Sequence, residues 1–212
     1  MVRFRPEHDA DIVAREALLD AALGPFRRLK TSERLREGRR PAPGLSFVAS
    51  VDQRLVGTVR LWSITAGPAR PALLLGPLAV DAGMRKAGIG AGLVNTALGH
   101  ALELGHRAIL LVGAPAYYHR FGFTSAQTAA LRLPGPSDPE RLLALELVSG
   151  ALAGASGLIG ATGRLARREG GTRRSSIAHS AMQRSDIGTA GHQRAFLRML
   201  FGCRRVSDPC PS

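Results

Sequence analysis

One stretch constrains this chain more than any other. The apolar run Leu73 to Val80 is interrupted by Gly76-Pro77 and followed, past a glycine-containing turn at 85–91, by a helical pattern from Ile89 to Leu104. A continuous apolar run of this length suits a strand covered on both faces. Proline offers no N–H to a neighbouring strand, so Gly76-Pro77 predicts a bulge or a failure of pairing in mid-strand. In the helix, Leu93, Val94, Ala97, Leu98, Ala101 and Leu102 recur at helical spacing, and Gly105 ends the pattern. A strand, a glycine turn and a helix start in this order suit an anion. The first helical N–H groups lack intrahelical acceptors, and the helix dipole adds partial positive charge. Gly88 and Gly90 let the backbone approach closely, while Arg85 and Lys86 add full charges. The turn is no Walker loop, since Gly-Lys-Ser/Thr is missing. It is no dinucleotide fingerprint either, since the third glycine is misplaced and no acidic residue closes the next strand.

The surrounding pattern alternates between strands and helices. Val2 to Arg5 reads as a short strand, and Asp9 or Asp11 as the cap of a helix to about Ala22 with Ile12, Leu18, Leu19 and Leu23 on one face. Gly24-Pro25 breaks that helix, and a second, charged helix is expected from Arg28 to Glu37. Leu45–Val51 and Leu55–Ser63 read as a hairpin about Asp52-Gln53-Arg54, with a loop after Ala66. Ala108–Val112 is a buried strand, and Pro115 opens a short helix closed by Gly122. Phe123–Leu133, interrupted, and Leu142–Val148 are further strand candidates.

Two segments raise the specificity of the glycine turn. Arg85-Lys86-Ala87-Gly88-Ile89-Gly90 resembles the Arg/Gln-x-x-Gly-x-Gly/Ala motif of the GNAT superfamily of acetyl-CoA-dependent N-acetyltransferases. Tyr117-Tyr118-His119-Arg120-Phe121-Gly122-Phe123, after the next strand, is similar to that family's Phe/Tyr-Tyr-x-Lys/Arg-x-Gly-Phe pattern. Leu75-Gly76-Pro77-Leu78-Ala79-Val80 also resembles a bacterial, mostly uncharacterised subgroup of predicted acetyltransferases. The resemblance covers about residues 1–150. It implies an α/β (α+β) fold with a mixed, mostly antiparallel central sheet, splayed between two central strands and flanked by helices.

It further implies that acetyl-CoA is the acyl donor and an amine on a small molecule or protein the acceptor. The backbone at Leu78 and Val80 would hold the pantetheine arm and the thioester carbonyl. The pyrophosphate would lie over Arg85, Lys86, Ala87, Gly88, Ile89, Gly90 and Ala91. Tyr118 matches the family's general acid, which protonates the departing thiolate; Tyr117 is expected to pack and Arg120 to lie at the surface or the cofactor's edge. Two departures stand out. Lys86-Ala87 replaces the glycine and polar residue often found there, and Gly113-Ala114-Pro115 lacks the asparagine frequent after the second central strand. No general base is legible; the candidates Glu33, Glu37, His119 and Asp81 all read as ordinary surface residues from the sequence. Acceptor selection is expected from the helical region 9–40 and the loop 64–72. No metal is implied, and a homodimer stays open.

Composition limits the alternatives. The formal net charge is +13, which invites a nucleic-acid reading. Residues 1–158 hold 19 Lys+Arg against 13 Asp+Glu and residues 159–212 hold 10 against 3, so the last quarter carries more than half of the excess. Residues 163–212, rich in Arg, Gly and Ser, read as a largely disordered tail with one short helix near Phe196, after a terminal strand or linker at 151–162. Its composition also fits a frameshift or read-through product. The tail's Arg164, Arg167, Arg168, Arg173, Arg174, Arg204 and Arg205 have no interleaved aromatics, which disfavours a nucleic-acid binder. A non-catalytic acyl-CoA-binding regulatory module is the remaining alternative. Only Cys203 and Cys210 are present, so neither a disulfide framework nor a CxxC metal site is expected. Met1–Glu7 lacks the apolar run of a secretory signal, and the low-charge stretch 142–161 contains Glu146 and several glycines. No membrane association is expected, and a cytoplasmic location is the default.

Overall fold

The computed structural model describes residues 1–166. The expected tail disorder and its short helix lie outside the described residues, apart from residues 163–166. A central sheet runs in the order β1 (Arg3–Pro6), β2 (Ser46–Val51), β3 (Arg54–Ala66), β4 (Arg70–Val80), β5 (Ala108–Val112) and β7 (Leu142–Glu146). All neighbours on this path are antiparallel except β4 and β5, which are parallel and joined through α2 (Ile89–Glu103). This is the mixed, mostly antiparallel sheet with flanking helices that the sequence implies.

Local chemistry explains the β2–β3 hairpin. Asp52 and Gln53 take φ of 46° and 67°, the doubly left-handed turn whose twist matches that of the flanking strands. Gly57 on β3 then lets α2 close on the sheet. A Cβ there would stand 2.8 Å from a Leu93 methyl and 2.9 Å from one of Ile89. The buried α2 positions are Ile89, Leu93, Val94, Ala97, Leu98, Ala101 and Leu102, the face predicted by periodicity.

Gly76-Pro77 interrupts β4 on both of its edges. Toward β3 the register passes from Val59↔Leu78 to Leu61↔Leu75, so two β4 residues bulge opposite one. Toward β5 only Leu73↔Ile109 and Leu74↔Leu110 pair, and the strands part beyond that point. Trp62 donates its indole N–H to the Gly76 carbonyl at 2.5 Å, which satisfies a group the bulge removes from the ladder.

Four expectations from the sequence are corrected. Helix α1 (Ile12–Leu23) buries Leu18 and Leu19 but leaves Ile12 43% exposed, and it buries Arg15 instead. Arg15 is accommodated because Glu7 lies between it and Arg60 of β3 in a nearly buried ion triad. The charged helix expected at 28–37 is replaced by two short 3-10 turns, Pro25–Leu29 and Thr31–Leu35, separated by the extended residue Lys30. Pro25 starts the first turn and the change of backbone at Lys30 prevents one continuous helix. The stretch 123–133 contributes only β6 (Leu131–Arg132) and a single bridge from Thr124 to Ala144. The loop expected at 64–72 shrinks to a tight turn, because β3 runs to Ala66 and β4 starts at Arg70.

Beyond β7 the chain stays within the fold. β8 (Gly157–Leu158) pairs with β6, and β9 (Gly160–Ala161) pairs with the far end of β3. Arg40 N–H donates to Arg164 O, and Ala166 N–H to Gly38 O. The described fold therefore reaches Ala166.

Candidate active site

The parting of β4 from β5 exposes backbone donors in a predictable pattern. Asp81 N–H donates to Val56 O, which makes Val80↔Gly57 a pair without mutual hydrogen bonds. Strand alternation then aims the N–H groups of Val80 and Leu78 away from β3, into the gap that β5 has left. Both residues border a cavity of about 430 Å³ whose floor is the glycine turn. Arg85, Lys86, Gly88, Ile89, Gly90 and Ala91 line it, while Ala87 does not.

Gly88 adopts φ of 76° as the N-cap of α2, and Lys86 takes φ of 75°. The first helical bond here is Gly92 N–H to Gly88 O. The N–H groups of Gly88, Ile89, Gly90 and Ala91 therefore lack an acceptor among the described residues. Ile89's side chain is buried, so its share in this surface is its backbone alone. Arg120 joins Arg85 and Lys86 around the same cavity. The assembly is a cradle of backbone donors bordered by three cations, chemistry that suits an anion.

A second cavity, about 330 Å³, continues from the first along the split and shares Leu23, Leu78 and Tyr117 with it. Tyr118 lines it, at the end of the four-residue helix α3 (Pro115–Tyr118). A glycine positions that ring: a Cβ at Gly113 would lie 2.7 Å from Tyr118 Cδ2. Phe123 and Phe121 pack around the ring, with centroids 5.9 and 6.4 Å away. Burial, with a smaller contribution from Tyr117, pushes the Tyr118 phenol up to about 12. It therefore holds its proton throughout the neutral range.

A family model described as acetyltransferase (GNAT) family matches residues 14–123, which include the split strands, the cradle and Tyr118. The chain belongs to the GNAT acetyltransferase family. Among its relatives, an uncharacterised N-acetyltransferase, YhbS of Escherichia coli K12, is 36% identical over 85 residues. That alignment takes in 40% of this chain and 51% of the relative, so the chain spans about half the length of the curated relatives it matches. Among solved structures, Escherichia coli YhbS in complex with CoA superposes with a TM-score of 0.65 at 29% identity, covering 76% of this chain and 89% of that one. A GNAT acetyltransferase of Brucella melitensis in complex with acetyl-CoA gives 0.50 at 26%, covering 68% and 96%.

Within this GNAT member, Tyr117 packs against Tyr118 and Phe121, with centroids 4.9 and 5.7 Å away, and does more besides. It lines both cavities, its hydroxyl lies over Gly90, and the Arg120 guanidinium stands 4.9 Å from its ring centroid. Doublet spacing alone could not reveal this, since adjacent helical positions face different ways. Of the candidate bases, Asp81 accepts from Gly83 N–H and pairs with Arg54, and His119 is exposed. Glu33 lines the Tyr118 cavity and, with Glu37, a third cavity of about 300 Å³ beyond it. Residues of region 9–40 border these cavities, whereas the turn at 67–69 lines neither. Among the described residues no helix is long and apolar enough to cross a membrane.

Proposed function

We propose that this protein transfers the acetyl group of acetyl-CoA to a primary amine of a small molecule or protein. The observation that carries the reading is the continuity of two cavities along one strand split. The cradle suits the donor's phosphates, and the adjoining slot past Leu78 brings a neutral arm to Tyr118. Relatives of the same family are solved with CoA and acetyl-CoA.

In this scheme the amine attacks in its neutral form. Its lone pair forms the C–N bond to the thioester carbon, and the carbonyl electrons move onto oxygen. The N–H groups at Leu78 and Val80, aimed into the gap, supply donors for that oxygen. Collapse of the tetrahedral intermediate breaks the C–S bond and leaves the pair on sulfur. The nitrogen's extra proton departs to water. Tyr118 donates to the sulfur as its charge builds. An ordinary thiol has a pKa of roughly 8.5. A phenol at about 12 therefore acts chiefly through its hydrogen bond to the thiolate rather than by early full transfer. The test is calorimetric binding of acetyl-CoA followed by a thiol-release screen across amines. Binding without release for any amine would favour the non-catalytic regulatory module.

A further inference from the structure

The third cavity shares Arg27, Glu33, Arg36 and Pro77 with the Tyr118 cavity, so these residues stand where donor and acceptor would meet. Arg27 and Arg36 are 7% and 8% exposed, deep burial for guanidinium groups. Each is incompletely used. Arg27 donates through Nε to Asp20 at 2.6 Å and through Nη2 to Glu16. Arg36 donates through Nε to Ser32 O at 3.3 Å and through Nη2 to Ser32 Oγ at 3.1 Å, with Glu33 at 3.0 Å. Neither Nη1 has a partner among the described residues, and that of Arg36 lies beside Gly76 at the bulge.

The charge balance points the same way. The Tyr118 cavity is lined by Arg27, Lys30, Arg36 and Arg141; Asp20 and Glu16 meet Arg27 from outside the lining and Glu33 meets Arg36, so Lys30 and Arg141 stay in excess among the described residues. A thioester and its pantetheine arm are neutral, and the phosphates belong at the glycine turn, so the donor leaves this excess unanswered. The two arginines also differ. Asp20 and Glu16 outweigh the cost of burying Arg27 and raise its pKa. Burial lowers that of Arg36, Glu33 opposes only in part, and Arg27 adds repulsion. Arg36 is the cation that gains most from an incoming anion.

We propose that the acceptor is an amine that also carries a carboxylate, bound through the free Nη1 of Arg36 with Arg27 beside it. This rests on the acetyl-transfer reading above and narrows its substrate class. The free Nη1 of Arg36 carries two N–H donors for a carboxylate oxygen, and Glu33 beside it can receive the acceptor's ammonium before deprotonation. Polyamines and other multiply cationic acceptors meet net repulsion here.

The full chain, saturated with CoA, is titrated calorimetrically with N-acetyl amino acids and their C-terminal amides. The acetyl-CoA form is assayed for thiol release with amino acids, their amides and short diamines. The expected result is a preference for the free carboxylate of roughly 10- to 100-fold in binding and in kcat/KM, the size of a charged hydrogen bond. Arg36→Gln abolishes that preference and Arg36→Lys weakens it, both while acetyl-CoA affinity stays within about twofold. The comparison within the wild-type chain does not depend on either variant folding. Amides or diamines that bind and react as well as the carboxylates overturn the proposal. A carboxylate preference in binding with no thiol release for any amine supports this site and counts against the transferase reading. Absence of both overturns both.

Discussion

The hydroxyl oxygen of Tyr117 stands over Gly90, 2.7 Å from the point that a Cβ on that glycine would occupy. The phenol carbon bearing it is 3.8 Å away, an ordinary contact. Gly90 lies in the first turn of α2, where alanine suits the backbone better than glycine. Gly90→Ala is therefore expected to leave thermal stability unchanged or slightly raised while driving the Tyr117 ring out of its place between the cavities. Acetyl-CoA affinity falls about 10-fold, near 1.4 kcal/mol. Adding Tyr117→Phe restores most of it. A double-mutant cycle by calorimetry that finds the two changes additive removes this account.

Tyr118→Phe keeps the ring and its packing against Phe121 and Phe123 but loses the proton. Turnover is expected to fall by about 10²–10³-fold, the cost of one donor to a developing charge, with acetyl-CoA binding little changed. The pH profile adds a separate check. The phenol is functional while protonated, and its pKa is raised to about 12, so its contribution fades only as pH rises toward that value. A basic limb in wild-type kcat between pH 8 and 10 that vanishes in the phenylalanine variant would keep the role but contradict the raised pKa.

Gly113→Ala tests the same residue from behind. The new methyl occupies the Tyr118 ring's position, close to ring atoms near the backbone where little can give. Overpacking of this kind costs about 1–3 kcal/mol. Chemical denaturation measures that loss, and turnover drops more than donor binding.

Asp11 predicts the response to acid. Its carboxylate accepts from both arms of Arg5 at 2.7 and 2.8 Å and from His8 N–H at 2.8 Å. The Arg5 hydrogen bonds, opposed by burial, hold its pKa down to about 2. A depressed carboxylate stabilises the fold above its unfolded pKa of roughly 3.9. That contribution is lost as pH falls from there through about 2. Asp11→Asn is expected to cost on the order of 1–2 kcal/mol at pH 7, the lower figure reflecting Arg5's contact with solvent. The difference from wild type should shrink to a small remainder by about pH 2 and vanish only about a unit below it in denaturant titrations. A gap that persists unchanged at that pH rules the linkage out.

Trp62→Phe leaves the Gly76 carbonyl without its indole donor. A loss of about 1–3 kcal/mol is expected from the unsatisfied group. Denaturation curves of wild type and variant decide it; a difference under 0.5 kcal/mol would mean that water replaces the indole at no cost.

The backbone of the candidate site was legible because its signals are local. Proline at 77 lacks an N–H whatever surrounds it, and the periodicity of α2 is carried by contiguous residues. The misread segments depend on distant partners. Arg15 reads as a surface residue until Glu7 and Arg60, 53 positions apart, meet around it. The 28–37 stretch carries helix-forming residues, yet its turns are set by Pro25 and the extended Lys30.

By itself the sequence determined the split strand, the glycine cradle after it, and the aromatic segment that follows the next strand. The first two follow from the covalent character of glycine and proline and from short-range apolar spacing, the third from its likeness to the family's aromatic pattern. Only the tertiary structure decided which charges are turned inward. Tyr117 joins the two cavities from α3, while the 3-10 turns from residues 25–35 bring Arg27 into the lining of the Tyr118 cavity and are followed by Arg36, whose Nη1 ends beside Gly76. Whether a guanidinium sits in water or in a cleft depends on groups remote in the chain, and no local pattern encodes it.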